Sequence, residues 1–206
     1  NNFNVTAKSF GGSATVFMGT GIWDMIGAGT IWNPSGTIFP SSSTIKISDG
    51  TTTGKTFAGG GKTYNNLLIS GAGIATYSFS GANTFNDFQS NKTVAHTLLF
   101  TAATITTVTT FTVNGSAGNL VTIGSITAAQ HTLAKAGGGS INSDYLNVSY
   151  SIGSPAATWN ATPNSVDGGN NTQWNINTYP FTWTGATNNN WSVGTNWLGN
   201  SAPGNT

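Results

Sequence analysis

Residues 54–90 read GKTFAGGGKTYNNLLISGAGIATYSFSGANTFNDFQS. Within them Thr56-Phe57, Thr63-Tyr64 and Thr84-Phe85 each follow a glycine-bearing turn by a few residues. The runs between the glycines alternate polar and apolar residues, the period-two signature of a strand with one face buried. Recurrence of one short unit favours a solenoid, because like side chains then stack on like and bury a continuous apolar column.

Further strands are expected on both sides of this stretch. The alternation marks Ala14–Met18, Thr44–Ile47, Tyr64–Ile69, Thr76–Phe79, Thr97–Phe100, Val108–Val113, Leu120–Ile123 and Tyr145–Tyr150. Neighbours are often about 10–12 residues apart, as in all-β chains. The best helical composition, residues 126–136, runs straight into Gly137-Gly138-Gly139 and reads as strand or loop. The fold class is therefore all-β, and a right-handed parallel β-helix is the leading expectation. A β-sandwich is the alternative, because Asp49-Gly50, Asn114-Gly115 and Asp167-Gly168 suit tight hairpin turns. Periodicity does not separate the two. Four segments are expected: an N-terminal β segment (1–43), a β-helical core (44–152), a loop-rich closure (153–180) and a Trp-rich inter-unit element (181–206).

Composition limits the chemistry. The 206 residues include six Lys, five Asp and two His, with no Arg, Glu or Cys, against 34 Thr, 25 Asn and 28 Gly. A net charge of +1 gives no electrostatic case for nucleic acid or an anionic membrane. Without Arg no bidentate fork can hold phosphate or carboxylate, and without Cys there are neither disulfides nor thiolate metal sites. No apolar run approaches the ~20 residues that span a bilayer. The chain opens on Asn1-Asn2-Phe3, without Met, and reads as a processed product or a piece of something longer.

Few residues suggest a site. Gly50 to Thr56 reads G-x-x-x-G-K-T, one residue short of a phosphate loop, and Gly59-Gly60-Gly61-Lys62-Thr63 lacks the leading glycine. A phosphate loop needs its full spacing, so that backbone N–H groups ring the phosphates, and a helix after it. Both stretches read as turn glycines beside a solvated lysine. His96 and His131 each precede Thr-Leu and read as structural residues at equivalent places on two coils. The carboxylates Asp24, Asp49, Asp87, Asp144 and Asp167 are all at least 20 residues apart. That argues against the facing pair of a glycosidase, although a solenoid can stack distant residues. Lys/Asn pairs such as Asn91-Lys92 would need a nearby carboxylic acid to crosslink, and Glu is absent. No catalytic, cofactor or metal residue is expected, and the chain does not read as an enzyme.

Three stretches carry a resemblance: FAGGGKTYNNLLISG (57–71), HTLLFTAATITTVTTFTVNGSAGNLVTIGS (96–125) and WTGATNNNWSVGTNWLGNSAPG (183–204). With GGNNTQWN (168–175) they resemble a family of large Thr/Asn/Gly-rich repeat proteins. Its members are bacterial surface adhesin-like proteins and phage tail or virion structural proteins. The resemblance covers most of the chain and is weakest before residue 30. It implies a β-helical, extracellular, non-catalytic role at a cell surface or virion. It also implies that the WTG…W…NW element opens a module and that GGNNT-x-W closes one, so residues 181–206 look like the start of a next unit.

A structural subunit or module of an extracellular filament, adhesin or phage appendage is therefore expected, assembling head to tail. Its partners would be copies of itself or the next repeat, and surface glycans are a further candidate. Neither terminus carries an amphipathic capping helix, and Trp183, Trp191, Trp197, Phe3 and Val5 are the expected assembly residues. The alternatives are a carbohydrate- or receptor-binding module, with the Trp residues as a sugar platform, and a β-helical polysaccharide-active enzyme.

Overall fold

The computed structural model describes residues 3–154, 156–177 and 183–197. It is 51% strand and 2% helix, a parallel β-solenoid of about 7 turns. The first turn holds β1 (Val5–Ala7), β2 (Phe10–Gly12) and β3 (Val16–Phe17). The second holds β4 (Ile22–Met25), β5 (Gly29–Pro34) and β6 (Ile38–Phe39). Four two-strand turns come next: β7 (Thr44–Ile47) with β8 (Lys55–Ala58), β9 (Thr63–Ile69) with β10 (Thr76–Ser80), β11 (Thr84–Ser90) with β12 (His96–Phe100), and β13 (Ile105–Val113) with β14 (Val121–Ser125). Last come β15 (His131–Lys135), β16 (Gly139–Ser143) and β17 (Leu146–Val148), then β18 (Ser151–Gly153), β19 (Ala157–Ala161), β20 (Val166–Asp167) and β21 (Trp174–Ile176).

Two eight-stranded parallel sheets run the length of the body, in the orders β1-β4-β7-β9-β11-β13-β15-β18 and β2-β5-β8-β10-β12-β14-β17-β20. Side-chain hydrogen bonds between successive turns join residues 20 to 25 apart in sequence. The pairing of β4 with β7 carries the solenoid across the boundary expected at 43/44. This excludes the sandwich. Every ladder is parallel, and among the described residues the antiparallel bridges are the isolated pairs Ser116–Asn119 and Trp183–Trp197. The Asp-Gly and Asn-Gly dipeptides turn corners of the coil instead of closing hairpins.

Strands β9, β11 and β13 bend in the middle. Their register skips Asn65, Asn86 and Thr109, and the inward residues on either side are Tyr64 and Leu67, Phe85 and Phe88, Val108 and Phe111. The bend gives the body three faces. At its ends the third face separates into short sheets, β3-β6 and β16-β19-β21.

The interior is filled by stacked rings. One column runs Phe10–Trp32–Phe57–Phe79–Phe100–His131, with centroid steps of 4.7, 5.8, 5.9, 5.3 and 5.0 Å. Another runs Phe88–Phe111–Trp159–Trp174 at 5.4, 5.6 and 5.1 Å. Rungs about 4.8 Å apart bring in-register rings into contact, and each such pair adds about 0.5–1.5 kcal/mol to the burial of its area. At the corners glycine permits close approach. Gly81 has φ 95°, and a Cβ there would stand 2.7 Å from the Gly61 amide nitrogen.

Candidate functional site

Four basic side chains lie inside: Lys55, Lys92, His96 and His131. Lys55 opens β8 facing inward, one rung from Tyr77. Its Nζ sits 2.8 Å from the Asp49 carboxylate and donates to the Thr51 and Thr53 carbonyls at 3.1 and 2.7 Å. The reading of Lys55 as a solvated lysine is therefore corrected: its side chain is fully buried. The G-x-x-x-G-K-T loop offers carbonyls to its own ammonium, the reverse of a phosphate cradle, and a strand comes after it instead of a helix.

Lys92, two turns further on, is also buried and donates to the Gly71 carbonyl at 2.7 Å. The two ammonium groups lie 5.7 and 5.5 Å from the centre of the Tyr77 ring, an arrangement that favours cation–π attraction. Burial, joined by the Asp49 charge, pushes the Tyr77 phenol up to about 12. Burial, with Lys55 nearby, pulls Lys92 down. Burial works to raise Asp49, but the bonds from Lys55 and Thr51 outweigh it and hold the carboxyl below its usual value.

Each histidine meets a serine. His96 Nε2 lies 2.9 Å from Ser90 Oγ and His131 Nε2 lies 3.1 Å from Ser151 Oγ. Both pairs are buried, and burial lowers both imidazoles, His131 to about 4. A Ser–His contact is one half of a nucleophile–base arrangement, and here all four side chains are buried. The histidines are also not equivalent: His96 opens β12 in one long sheet and His131 opens β15 in the other. The remaining carboxylates have local partners. Asp24 pairs with Lys46 at 3.2 Å, Asp87 accepts from Thr110, Asp144 accepts from Asn164, and Asp167 accepts from Asn171. Among the described residues no group of three or more His, Cys, Asp or Glu is placed to hold a metal, and no helix is long and apolar enough to cross a membrane.

The two ends of the body differ. At the N-terminal end Phe3 and Phe17 are 69% and 76% exposed. Phe17 stacks on Phe39 with centroids 4.7 Å apart and planes 6° apart. Phe3, Val5, Phe17, Met18, Gly19 and Trp23 line a recess of about 510 Å³. Two of the expected assembly residues, Phe3 and Val5, therefore share one apolar surface.

The C-terminal end is closed by polar side chains and backbone. Asn171 Nδ2 donates to the Val148 carbonyl and the Asp167 carboxylate, both at 2.6 Å, and Asn171 Oδ1 accepts from the Ser151 amide at 3.1 Å. The Thr172 backbone bonds Ser151 and Gly153 at 2.9 Å each, covering the outer edge of β18. Gln130 Nε2 reaches the Asn170 carbonyl at 2.8 Å, and Trp174 Nε1 donates to Ser151 Oγ at 3.0 Å. Among the described residues no helix caps this end, and the GGNNTQW segment covers its β18 edge.

Residues 183–197 form a small knot around Asn196. The buried Asn196 amide accepts from the Thr187 and Asn188 N–H groups at 2.8 and 2.9 Å and donates to Asn188 Oδ1 and the Asn190 carbonyl at 2.8 Å each. The three tryptophans pack on one another: Trp183–Trp191 stacked at 5.4 Å, Trp183–Trp197 and Trp191–Trp197 edge-on at 5.1 and 4.4 Å. Trp197 is buried and Trp191 remains 61% exposed.

Sequence reasoning missed the inward Lys55 and Lys92, both Ser–His pairs and the partners of Asn171. The available signal was the inward column Lys55–Tyr77–Leu98, one turn per step. No family model, curated protein or solved structure matches the chain.

Proposed function

We propose that this chain is a structural module of an extracellular assembly, a filament, adhesin or phage appendage on a cell surface or virion, joined head to tail to further copies or repeats. The observation that carries this reading is the exposed aromatic surface at one end of the body, Phe3, Phe17 and Phe39, beside an apolar recess. Large rings left in water at the end of a stacked column mark a surface suited to being covered. The polar side chains offer little for chemistry, because Lys46, Lys55, Lys92, both histidines and the carboxylates are engaged in holding loops and rungs. No reaction is assigned to the chain.

Sedimentation velocity across a concentration series, with negative-stain microscopy of the concentrated sample, tests the proposal. Growing oligomers and filaments are expected. A single monomer boundary at every concentration, with no filaments, refutes it. A second reading, a carbohydrate- or receptor-binding module, draws support from the exposed Trp191 face. Monomers that score on a glycan array would favour it.

A further inference from the structure

We infer that the joint between units is made by Trp191 of one copy seating in the N-terminal recess of another copy, against Phe3 and Phe17. This rests on the assembly reading and names its surfaces.

The C-terminal end of the body argues against the simplest joint, in which one solenoid adds strands to the next. Thr172 already pairs with β18, and the Asn171 side chain occupies backbone groups of both Val148 and Ser151. Strand addition needs free backbone donors and acceptors, so the β18 edge, where Thr172 and Asn171 already sit, is a poor template. Beyond the closure in sequence stands the 183–197 knot, whose most exposed apolar side chain is Trp191, with Trp183 partly exposed beside it. Residues 183–197 contain no ionisable side chain, and the six residues lining the recess contain none either. A charge-free knob and a charge-free recess meet without burying an unpaired ion.

Reach separates a neighbour from the chain's own recess. Six peptide links join Asn177 to Trp183, at most about 21 Å of extended chain. The recess lies about 7 turns from the closure, roughly 34 Å at the spacing of parallel strands. Trp191 is exposed in its own chain, so the recess of another copy is the site open to it. Trp191, Phe3 and Phe17 would bury on the order of 400 Å² of aromatic surface together. That is below the ~1,000 Å² of a stable free complex. The contact is therefore weak between separate units in dilute solution and becomes strong where units are held at high local concentration.

The chain has no cysteine, so placed thiols report the contact cleanly. Thr6, exposed on β1 beside Val5, and Asn189, exposed beside Trp191, are each changed to Cys, and concentrated protein is treated with a short bismaleimide. The T6C and N189C chains together should give crosslinked dimers, each alone little, and a T6C/N189C double variant a ladder of higher species. Trp191→Ala should reduce the product at least tenfold. Phe3→Ser should do the same from the other side without touching the knot, which guards against a misfolded Trp191 variant. High salt should leave the yield unchanged. Equal self-crosslinking of T6C, or a yield that neither substitution lowers, overturns the joint. The same samples are viewed by negative stain. Filaments without the T6C–N189C product refute this joint while leaving the assembly reading intact, and monomers without product refute both.

Discussion

Acid should destabilise this protein through a buried histidine. His131 is fully buried, stacked at 5.0 Å on Phe100, with Ser151 Oγ at Nε2 and no hydrogen-bond partner at Nδ1. Burial lowers its folded pKa from 6.5 to about 4. Above pH 6.5 the ring is neutral in both states and the native stability is complete. Between 6.5 and about 4 the unfolded chain binds the proton and the native one does not, so stability falls with pH. Below about 4 the native ring also protonates and the loss levels off. A gap of this size corresponds to about 3 kcal/mol. His96, lowered by burial, acts in the same direction. The background is unusually quiet, since the chain has five Asp and no Glu, and Asp49 is held below its usual value so that its contribution is lost at still lower pH. Urea unfolding followed by circular dichroism at steps from pH 7 to pH 4 measures the slope. His131→Phe keeps a ring against Phe100 but cannot titrate. It should cost about 1–2 kcal/mol at pH 7 through the lost Ser151 contact and remove most of the decline below it. If His131→Phe keeps the full decline between pH 6.5 and 4, this assignment is wrong.

The packed interior sets three further outcomes. Phe88→Ala, in the gap between Phe79, Phe85 and Phe111, should cost about 3–5 kcal/mol in urea unfolding. Gly81→Ala should cost about 1–3 kcal/mol because φ is 95° and the new Cβ meets backbone; an unchanged urea midpoint would contradict the corner geometry. Lys55→Met should cost about 3–5 kcal/mol by stranding Asp49, and adding Asp49→Asn should recover part of it. Additive losses in the double variant would mean that the two groups do not interact.

Much of the fold is legible in the sequence because strands at the centre of each face keep period two. Alternation marks Thr44–Ile47 to the residue, and it places Thr76 and Thr97 within one residue of strand starts. The misses have a common cause. In β11 the inward residues Phe85 and Phe88 are three apart, because the strand bends at Asn86-Asp87, and alternation vanishes where the coil turns. His131–Lys135, inside the stretch read as strand or loop despite its helical composition, is no miss: it is a strand held by its neighbours β13 and β18 on the ladder. The histidines share a local context, yet β12 and β15 are three strands apart, about one and a half turns of the coil, so His96 opens a strand of one long sheet and His131 a strand of the other. Lys55 reads as solvated because variable turn lengths hide its place in the column with Tyr77. The apolar N-terminal recess has a partial signal in Phe3 and Val5, whereas Phe17 and Met18 join them only once the first turn is coiled.

The contrast between the ends bears on how such a module can polymerise without aggregating. A parallel solenoid presents a whole rung of backbone groups at each end, and an open rung accepts any strand. Asn171, Thr172 and Gln130 cover the β18 edge of one end, with side-chain and backbone hydrogen bonds in place of those that a next strand would make there. In the proposed assembly, with strand addition suppressed there, growth would proceed through side chains, where shape decides the partner. In that assembly the knob is Trp191, the most exposed of the three indoles, on a knot built around Asn196. It is rigid, because four hydrogen bonds hold the Asn196 amide in place. It is uncharged, so its docking is independent of ionic strength. Removing the closure should therefore weaken control of assembly and not assembly itself. Asn171→Ala combined with Thr172→Pro strips both the side-chain and the backbone cover from β18. The expected product is irregular, thioflavin-positive aggregate in place of, or alongside, ordered oligomers. A variant that stays soluble and assembles as before would mean that the closure does not guard this edge.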